Sequence, residues 1–303
     1  MANHPIISLV EDQHELVVEG ELPSPNVKPK KKTRWWNILI DVFLVALIVV
    51  SISVTVNLLY LNNAYNLSFF VNGMSMYPTL NSNCYDQNGN KLMWWHDTFY
   101  AGDEVEYGDG KSGDKDNWRD SLARHDIVIT YYRSDYLTDA NNNLRRDANG
   151  NLMLRANAKS KIKRLVGFPG ETVSIEAVNE DTELYNRAWG KTTINPGTES
   201  EQIIKPLYTV ADYPSVEGHT YRFYTGSYTV TLKEDEYCVI GDNRGAGYSG
   251  DSRSNGPVTS EMIIGKAYLV IGKRRLHRTE SGDIEPENSF FYAFVPWTYR
   301  RLD

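Results

Sequence analysis

The feature that most constrains the fold is one long uncharged run, "VFLVALIVVSISVTVNLLYL" at residues 42–61. As an α-helix the run would be about 30 Å long, which matches the hydrocarbon core of a bilayer. A helix buried in a globular core is rarely this apolar on every face for five turns. The preceding segment, "KPKKKTRWW" at 28–36, has the basic side chains and tryptophans typical of a membrane interface. The sequence therefore predicts a transmembrane helix.

The charges around this run also predict its orientation. Basic residues that flank a membrane helix stay in the cytoplasm, so we expect the N-terminus inside and the rest of the chain outside. A cleaved signal peptide would have a shorter apolar core and a small-residue cleavage site, which "LNNAYN" at 61–66 does not provide. We therefore expect a loosely ordered cytoplasmic tail at 1–34, an uncleaved transmembrane anchor at 35–61 and an extracytoplasmic domain at 62–303.

The composition excludes several classes of protein. A net charge of −7 argues against nucleic-acid binding, which requires a basic face. The two cysteines, Cys84 and Cys238, are far apart and form no CxxC motif, which excludes a cysteine zinc site and a disulfide-dense scaffold. A single disulfide between them and two unpaired thiols are both compatible with the sequence.

The extracytoplasmic part has the pattern of a mainly β domain. Short runs rich in β-branched and aromatic residues alternate with period two and are bounded by turn residues, while no convincing soluble helix is found. The strands are expected within residues 125–132, 161–168, 171–178, 221–232, 236–241 and 265–273.

Between these runs lie turn signals and polar segments. "DQNGN" at 86–90 and "DANGN" at 147–151 contain Asn-Gly, which tolerates the positive φ of a tight hairpin turn. Both lack the distal glutamate of a calcium loop, so we interpret them as hairpin tips and not as metal sites. The polar segments at 81–123, 133–158 and 179–220 are interpreted as insertions on the β scaffold.

One serine stands out in "FFVNGMSMYPTL" at 69–80, where Ser75 interrupts an apolar run. A serine hydroxyl barely ionises at neutral pH, so a nucleophilic role requires a nearby base. His125 is a candidate, although a histidine at the end of a strand has a simple structural explanation. Lys163 in "KSKIKRLVGFPGETV" at 159–173 is the other candidate, although this stretch taken alone favours a solvated lysine. A free lysine is neutral in only about one molecule in 2,500 at pH 7, whereas burial can lower its pKa by several units.

A third stretch, "GDNRGAGYSGDSRSNGPV" at 241–258, places opposite charges close together among five glycines. A simple glycine-rich loop would not explain the alternation of Asp242, Arg244, Asp251 and Arg253. We expect a hydrogen-bonded loop that holds one shape.

Together these stretches resemble the bacterial type I signal peptidases, membrane-anchored Ser–Lys proteases. The resemblance rests on four ordered blocks after a one-span anchor: "GMSMYPTL", "RHDIVIT", "KIKRLVGFPGETV" and the 241–258 loop. It implies a mainly β catalytic domain, of barrel or sheet form with polar insertions, at the outer membrane surface. It also implies cleavage of exported preproteins after small residues at −1 and −3, with no metal or cofactor, close to membrane lipid and the secretion translocon.

The resemblance also assigns roles to residues. Ser75 matches the nucleophile in the pattern Ser-Met-x-Pro-Thr, and Lys163 matches the general base. Ser249 aligns with a serine that orients the lysine, and Asp251 and Arg253 align with a structural ion pair. Gly73 occupies a position at which some members carry a serine that contributes to the oxyanion hole.

Three departures from the family pattern are visible. The 241–258 loop is longer than the common form, which affects the assignment of Ser249 most. His125 replaces a small residue, often glycine, and the expanded segments 81–123 and 133–158 separate Ser75 from Lys163. These segments could contact substrates or partners or be neutral decoration.

Other classes fit less well. Self-cleaving Ser–Lys repressors are soluble and carry a DNA-binding region, a sortase needs a cysteine with different spacing, and the eukaryotic-type signal peptidase has histidine where Lys163 stands. An anchored adhesion or binding module with a disarmed site is the non-enzymatic alternative, and the intact Ser75, Lys163 and Ser249 argue against it.

Overall fold

The computed structural model describes residues 34–64, 67–82, 101–108, 118–213, 220–279, 284–286 and 300–302. The chain divides into two compact units, residues 1–55 and 56–303, which are described separately.

The N-terminal helix α1 covers Arg34–Ala64 and contains the predicted anchor. Its segment Trp35–Val56 is long and apolar enough to cross a membrane, and none of it is buried within the protein. At its start the rings of Trp35 and Trp36 stack with centroids 4.7 Å apart. The division into tail, anchor and extracytoplasmic domain remains a prediction.

The second unit contains thirteen strands among the described residues, together with several short 3₁₀ segments. In chain order the strands are β1 Leu67–Phe70, β2 Ala101–Gly108, β3 Ile127–Thr130, β4 Lys161–Gly167, β5 Thr172–Glu176, β6 Lys191–Ile194, β7 Gln202–Ile204, β8 Ser227–Thr231, β9 Glu236–Ile240, β10 Val258–Thr259, β11 Ile263–Arg278, β12 Ile284–Pro286 and β13 Arg300–Arg301. A four-residue helix, α2, covers Ser252–Asn255 and was not predicted.

The larger sheet has the order β1-β2-β11-β3-β4-β9-β10, and β12 and β13 also pair with the long strand β11. Neighbouring strands are antiparallel throughout. The mainly β prediction is confirmed. Its sheet form is the one observed, because no pairing between β1 and β10 closes a barrel among the described strands.

The smaller sheet has the order β7-β6-β5-β8 and packs against β4 and β9 of the larger one. Val166 of β4 and Cys238 of β9 share a buried cluster with Val173 and Ile175 of β5. Gly167 permits this close approach, since a Cβ there would lie 2.3 Å from a methyl group of Val173. The Cys238 thiol is buried, and burial raises its pKa to about 12. Cys84 lies outside the described residues, and with it the choice between a disulfide and two unpaired thiols.

Two segments interpreted as insertions contain sheet strands, so that interpretation is wrong for parts of them. β2 lies within 81–123 and pairs with both β1 and β11. β6 and β7 lie within 179–220 and form half of the smaller sheet. Val105 and Tyr107 of β2 are buried because they point into the core, while acidic residues alternate with them in the sequence.

The segment 133–158 is a ribbon with two consecutive turns of the same design. At 147–151 the Asp147 amide donates to Asn151 O and Gly150 has φ +86°, as expected for the predicted hairpin tip. At 139–143 the Asp139 amide donates to Asn143 O in the same way. The other predicted tip, at 86–90, lies outside the described residues.

Candidate active site

Ser75 lies on a turn that two methionines anchor in different places. Met74 belongs to an aromatic cluster with Trp189 and Tyr213, whereas Met76 belongs to an aliphatic cluster with Ile129. Both methionines are 0 % exposed, and Ser75 between them is half-buried. The turn is closed by the Tyr77 amide, which donates to Met74 O at 3.0 Å. This segment, residues 71–81, is called the Ser75 turn below.

Lys163 lies on β4, between β3 and β9, and reaches the Ser75 turn. Its Nζ donates to Ser75 Oγ at 2.9 Å and to Ile162 O at 2.8 Å. The two residues are 88 positions apart in the sequence, so only the sheet brings them together. Lys163 is 3 % exposed. A nucleophile in hydrogen-bond contact with a potential base is thus present.

The environment of Lys163 favours the neutral amine. Burial is the main cause that lowers its pKa, from 10.5 to about 8. The Asp251 carboxylate opposes this, while the charges of Lys161 and Arg253 reinforce it. At a pKa of about 8, about one lysine in ten is neutral at pH 7, far more than for a solvated lysine.

The neighbouring Lys161 has a different environment. Its Nζ forms an ion pair with Asp135 at 2.6 Å, and its side chain is 32 % exposed. The two lysines of one strand are therefore distinct: Lys161 is partly exposed and paired with Asp135, whereas Lys163 is buried against the serine.

Ser249 lies close to the Ser75 turn without a hydrogen bond to Lys163. Ser249 and Ser75 both lie close to Gly241. A Cβ at position 241 would lie 2.2 Å from Ser249 Oγ and 2.4 Å from Ser75 O. The Ser249 hydroxyl is buried and makes no hydrogen bond of normal geometry with the described residues. Any side chain at position 241 would collide with these atoms, so glycine is required there for the 241–258 loop to lie against Ser75.

Asp251 and Arg253 form a buried ion pair at the start of α2. Arg253 Nη2 lies 2.8 Å from Asp251 Oδ2, and Arg253 Nε donates to Asp251 Oδ1 at 2.9 Å. Asp251 also accepts the Gly241 amide at 3.0 Å. Burial opposes ionisation of Asp251, but the hydrogen bonds and charge of Arg253 outweigh it and lower the pKa of the carboxyl. The pair therefore fixes the loop that lies against the Ser75 turn.

Asp242 pairs with a residue outside its own loop. Arg164 of β4 donates Nε to Asp242 Oδ1 at 2.7 Å and Nη2 to Oδ2 at 2.6 Å. The Thr79 hydroxyl, on the Ser75 turn, also donates to Asp242. Asp242 is 0 % and Arg164 5 % exposed. This bidentate pair connects the strand of Lys163, the 241–258 loop and the Ser75 turn.

Arg244 and His125 have other surroundings. The Arg244 guanidinium lies over the Trp189 ring at 3.9 Å and donates to Thr192 Oγ1 at 2.7 Å. Burial lowers its pKa to about 10. His125 has φ +77°, and burial together with Arg164 lowers its pKa. The His125 carbonyl accepts a hydrogen bond from Arg164 Nη1. Among the described residues no hydrogen bond joins the His125 imidazole to Ser75.

Sequence reasoning missed the roles of Arg164, Thr79 and Asn81. Arg164 directly follows Lys163 in "KRLVGFPG", and Thr79 lies four residues after Ser75 in "SMYPTL", so both lie in blocks that contain predicted site residues. Within the described part of the chain, no group of three His, Cys, Asp or Glu side chains converges as a metal site. The contact between the Ser75 hydroxyl and the Lys163 amine allows these groups to act as nucleophile and base.

Comparison with known proteins identifies the class. A family described as "Signal peptidase, peptidase S26" matches residues 38–271. The chain belongs to this family.

Individual relatives cover less of the chain. Signal peptidase I V of Bacillus subtilis (strain 168) is 34% identical over 108 residues, which are 35% of this chain and 55% of that protein. The chain thus matches about half the length of that curated relative. A crystal structure of a signal peptidase I from Enterococcus faecalis V583 is 22% identical, with a TM-score of 0.29, over 48% of this chain and 95% of that one.

Proposed function

We propose that this chain is a membrane-anchored type I signal peptidase, a serine endopeptidase that removes signal peptides from exported preproteins. The observation that carries the proposal is the 2.9 Å contact between the Ser75 hydroxyl and the buried Lys163 amine. Membership of the signal peptidase S26 family supports the substrate class.

The reaction is acyl transfer in two steps. Neutral Lys163 accepts the Ser75 proton while Ser75 Oγ bonds to the scissile carbonyl carbon, and the oxyanion accepts hydrogen bonds from backbone amides that include that of Ser75. Lys163 returns the proton to the leaving amine, and the peptide bond breaks. Lys163 then takes a proton from water as the water oxygen bonds to the acyl carbon. The bond from Ser75 Oγ to the acyl carbon breaks, Lys163 returns the proton to Oγ, and the signal peptide leaves as a free acid.

The substrate is expected to bind as an extended strand, with small side chains at −1 and −3. The cytoplasmic N-terminus, the outer location of the catalytic domain and proximity to lipid and translocon follow from the basic flank before α1 and the need to meet exported chains. In this role Ser249, Asp251 and Arg253 support the base, and Asp242 and Arg244 fix the loop.

The direct test is cleavage of a preprotein or an Ala-x-Ala peptide by the full chain in detergent. Ser75→Ala and Lys163→Met should each abolish cleavage. Lys161→Met, the matched control on the same strand, should retain it. Activity should rise as pH increases through about 8, because the neutral amine is the active form and dominates above the Lys163 pKa. Cleavage by Lys163→Met would contradict the assignment of the base.

Gly73→Ser is expected to increase kcat, by up to about tenfold, if its hydroxyl adds a donor to the oxyanion hole. A Cβ at Gly73 would meet nothing within 4 Å, so the change should fit without strain. Gly73→Ala is the control, because it adds the Cβ without the hydroxyl. Equal kcat values for the two variants would show that no donor is gained.

A further inference from the structure

Asn81 ends the Ser75 turn and makes an unusual number of contacts for one side chain. It is 0 % exposed and has φ +61°, a conformation that asparagine tolerates better than most residues. Its Nδ2 donates to Val71 O and to Gly73 O, both at 2.9 Å. These carbonyls lie on the strand side of Ser75, so one amide group ties the end of the turn to its beginning.

Asp103 holds Asn81 in this orientation. The Asp103 amide donates to Asn81 Oδ1 at 2.7 Å, and the Asn81 amide donates to Asp103 Oδ2 at 2.9 Å. The Val71 amide in turn donates to Asp103 O at 2.8 Å. Asp103, which is 5 % exposed, therefore contacts both ends of the turn. Arg300 of β13 also reaches this point, since it donates to Thr79 O and lies 3.7 Å from Asp103.

We propose that Asn81, braced by Asp103, is a positioning residue that fixes the Ser75 turn so that Ser75 Oγ stays within reach of Lys163. It acts through the backbone, because its side chain bonds to the carbonyls of Val71 and Gly73 and to the amide of Asp103, and no hydrogen bond joins it to Ser75 Oγ. The proposal rests on the proposed function and adds a residue to it.

The hydrogen-bonded pair Asn81–Asp103 lies at the two ends of a long segment that follows the Ser75 turn. Residues 82–102 separate Asn81 from Asp103 in the sequence. The two reciprocal hydrogen bonds join the ends of that segment. The turn is thereby fixed from within the core, whatever the length of the chain that leaves it.

Two variants of the full chain test the proposal. Asn81→Gly permits the positive φ and removes all side-chain bonds, while Asn81→Asp keeps an acceptor for the Asp103 amide and removes both Nδ2 donors. Each should lower kcat by about 10- to 100-fold, because small misplacement of a nucleophile has effects of this size. KM should change less than about twofold, and the pH at which activity rises should not move, since Lys163 lies on a different strand.

Hydrogen exchange provides a readout that is independent of catalysis. The Tyr77 and Leu80 amides are bonded within the turn and should exchange at least about tenfold faster in both variants. Asn142→Gly is the matched control: Asn142 also has positive φ, at +63°, but lies on the exposed ribbon. It should alter neither kcat nor exchange in the turn.

The outcomes separate the two hypotheses. Unchanged kcat per folded molecule in both variants would overturn the positioning role, as would a lower kcat without faster exchange at Tyr77 and Leu80. If the unmodified chain cleaves no preprotein, the proposed function fails, and the exchange experiment alone still decides whether Asn81 fixes the turn.

Discussion

Lys163→Met is expected to abolish activity and yet raise the free energy of unfolding at pH 7 by about 3 kcal/mol. One pKa unit corresponds to about 1.4 kcal/mol, so holding the Lys163 pKa near 8 costs the folded protein about that amount. Methionine has a similar shape and carries no charge that burial could penalise. The base is thus maintained at the expense of stability.

The size of this effect should depend on pH in a defined direction. Below about pH 8 Lys163 is protonated in both the folded and the unfolded chain, and the full penalty applies. Between about 8 and 10.5 the unfolded chain binds more protons than the folded one, so the stability of the unmodified protein rises with pH. The advantage of Lys163→Met should therefore shrink over that interval.

Denaturant unfolding of the two proteins between pH 7 and pH 10.5 measures this difference. Lys161→Met is the control, because Lys161 is partly exposed and paired with Asp135. A Lys163→Met protein that is less stable than the parent at pH 7 would show that the buried amine is not held in a destabilised charged form.

Asp242→Ala is expected to destabilise the protein by about 3–5 kcal/mol, because it leaves the Arg164 guanidinium buried without its carboxylate. Activity should fall as well, since Thr79 of the Ser75 turn loses its acceptor. Replacing both partners, as Arg164→Met with Asp242→Leu, should recover much of the stability because no unpaired charge remains.

Thermal or denaturant unfolding of Asp242→Leu, Arg164→Met and the double variant that combines them gives the coupling energy. Asp181→Ala serves as the control, since the Asp181–Arg187 pair has a similar 2.8 Å separation but both side chains are exposed. Its effect on stability should be small. Additive effects of the Asp242 and Arg164 changes would mean that the two groups do not act as a pair.

The contact between Ser75 and Lys163 could be predicted because the two residues lie in distinctive short blocks. "GMSMYPTL" and "KIKRLVGFPG" each combine a functional residue with turn residues, and the order of the blocks is informative. The strands around Lys163 were also predicted, from short runs rich in β-branched and aromatic residues. In the structure β4 and β9 are buried over most of their length and do not alternate between buried and exposed positions.

Other parts depend on contacts that a sequence does not contain. The prediction places β2, "AGDEVEYG", within an insertion, because its three acidic residues make the stretch polar overall. The alternation of the apolar residues Val105 and Tyr107 is short and is not recognisable as a strand pattern. The partner of Asp242 lies 78 positions away, and Arg244, two residues from Asp242, was the more obvious choice. Asn81 has no motif at all, because its role is defined by backbone carbonyls.

The two methionines beside Ser75 have a consequence for how the protein fails. Met74 and Met76 belong to two different hydrophobic clusters, so Ser75 lies between these clusters. The Ser75 turn can come away from the protein only when both clusters unfold. We therefore expect activity and tertiary structure to be lost at the same temperature.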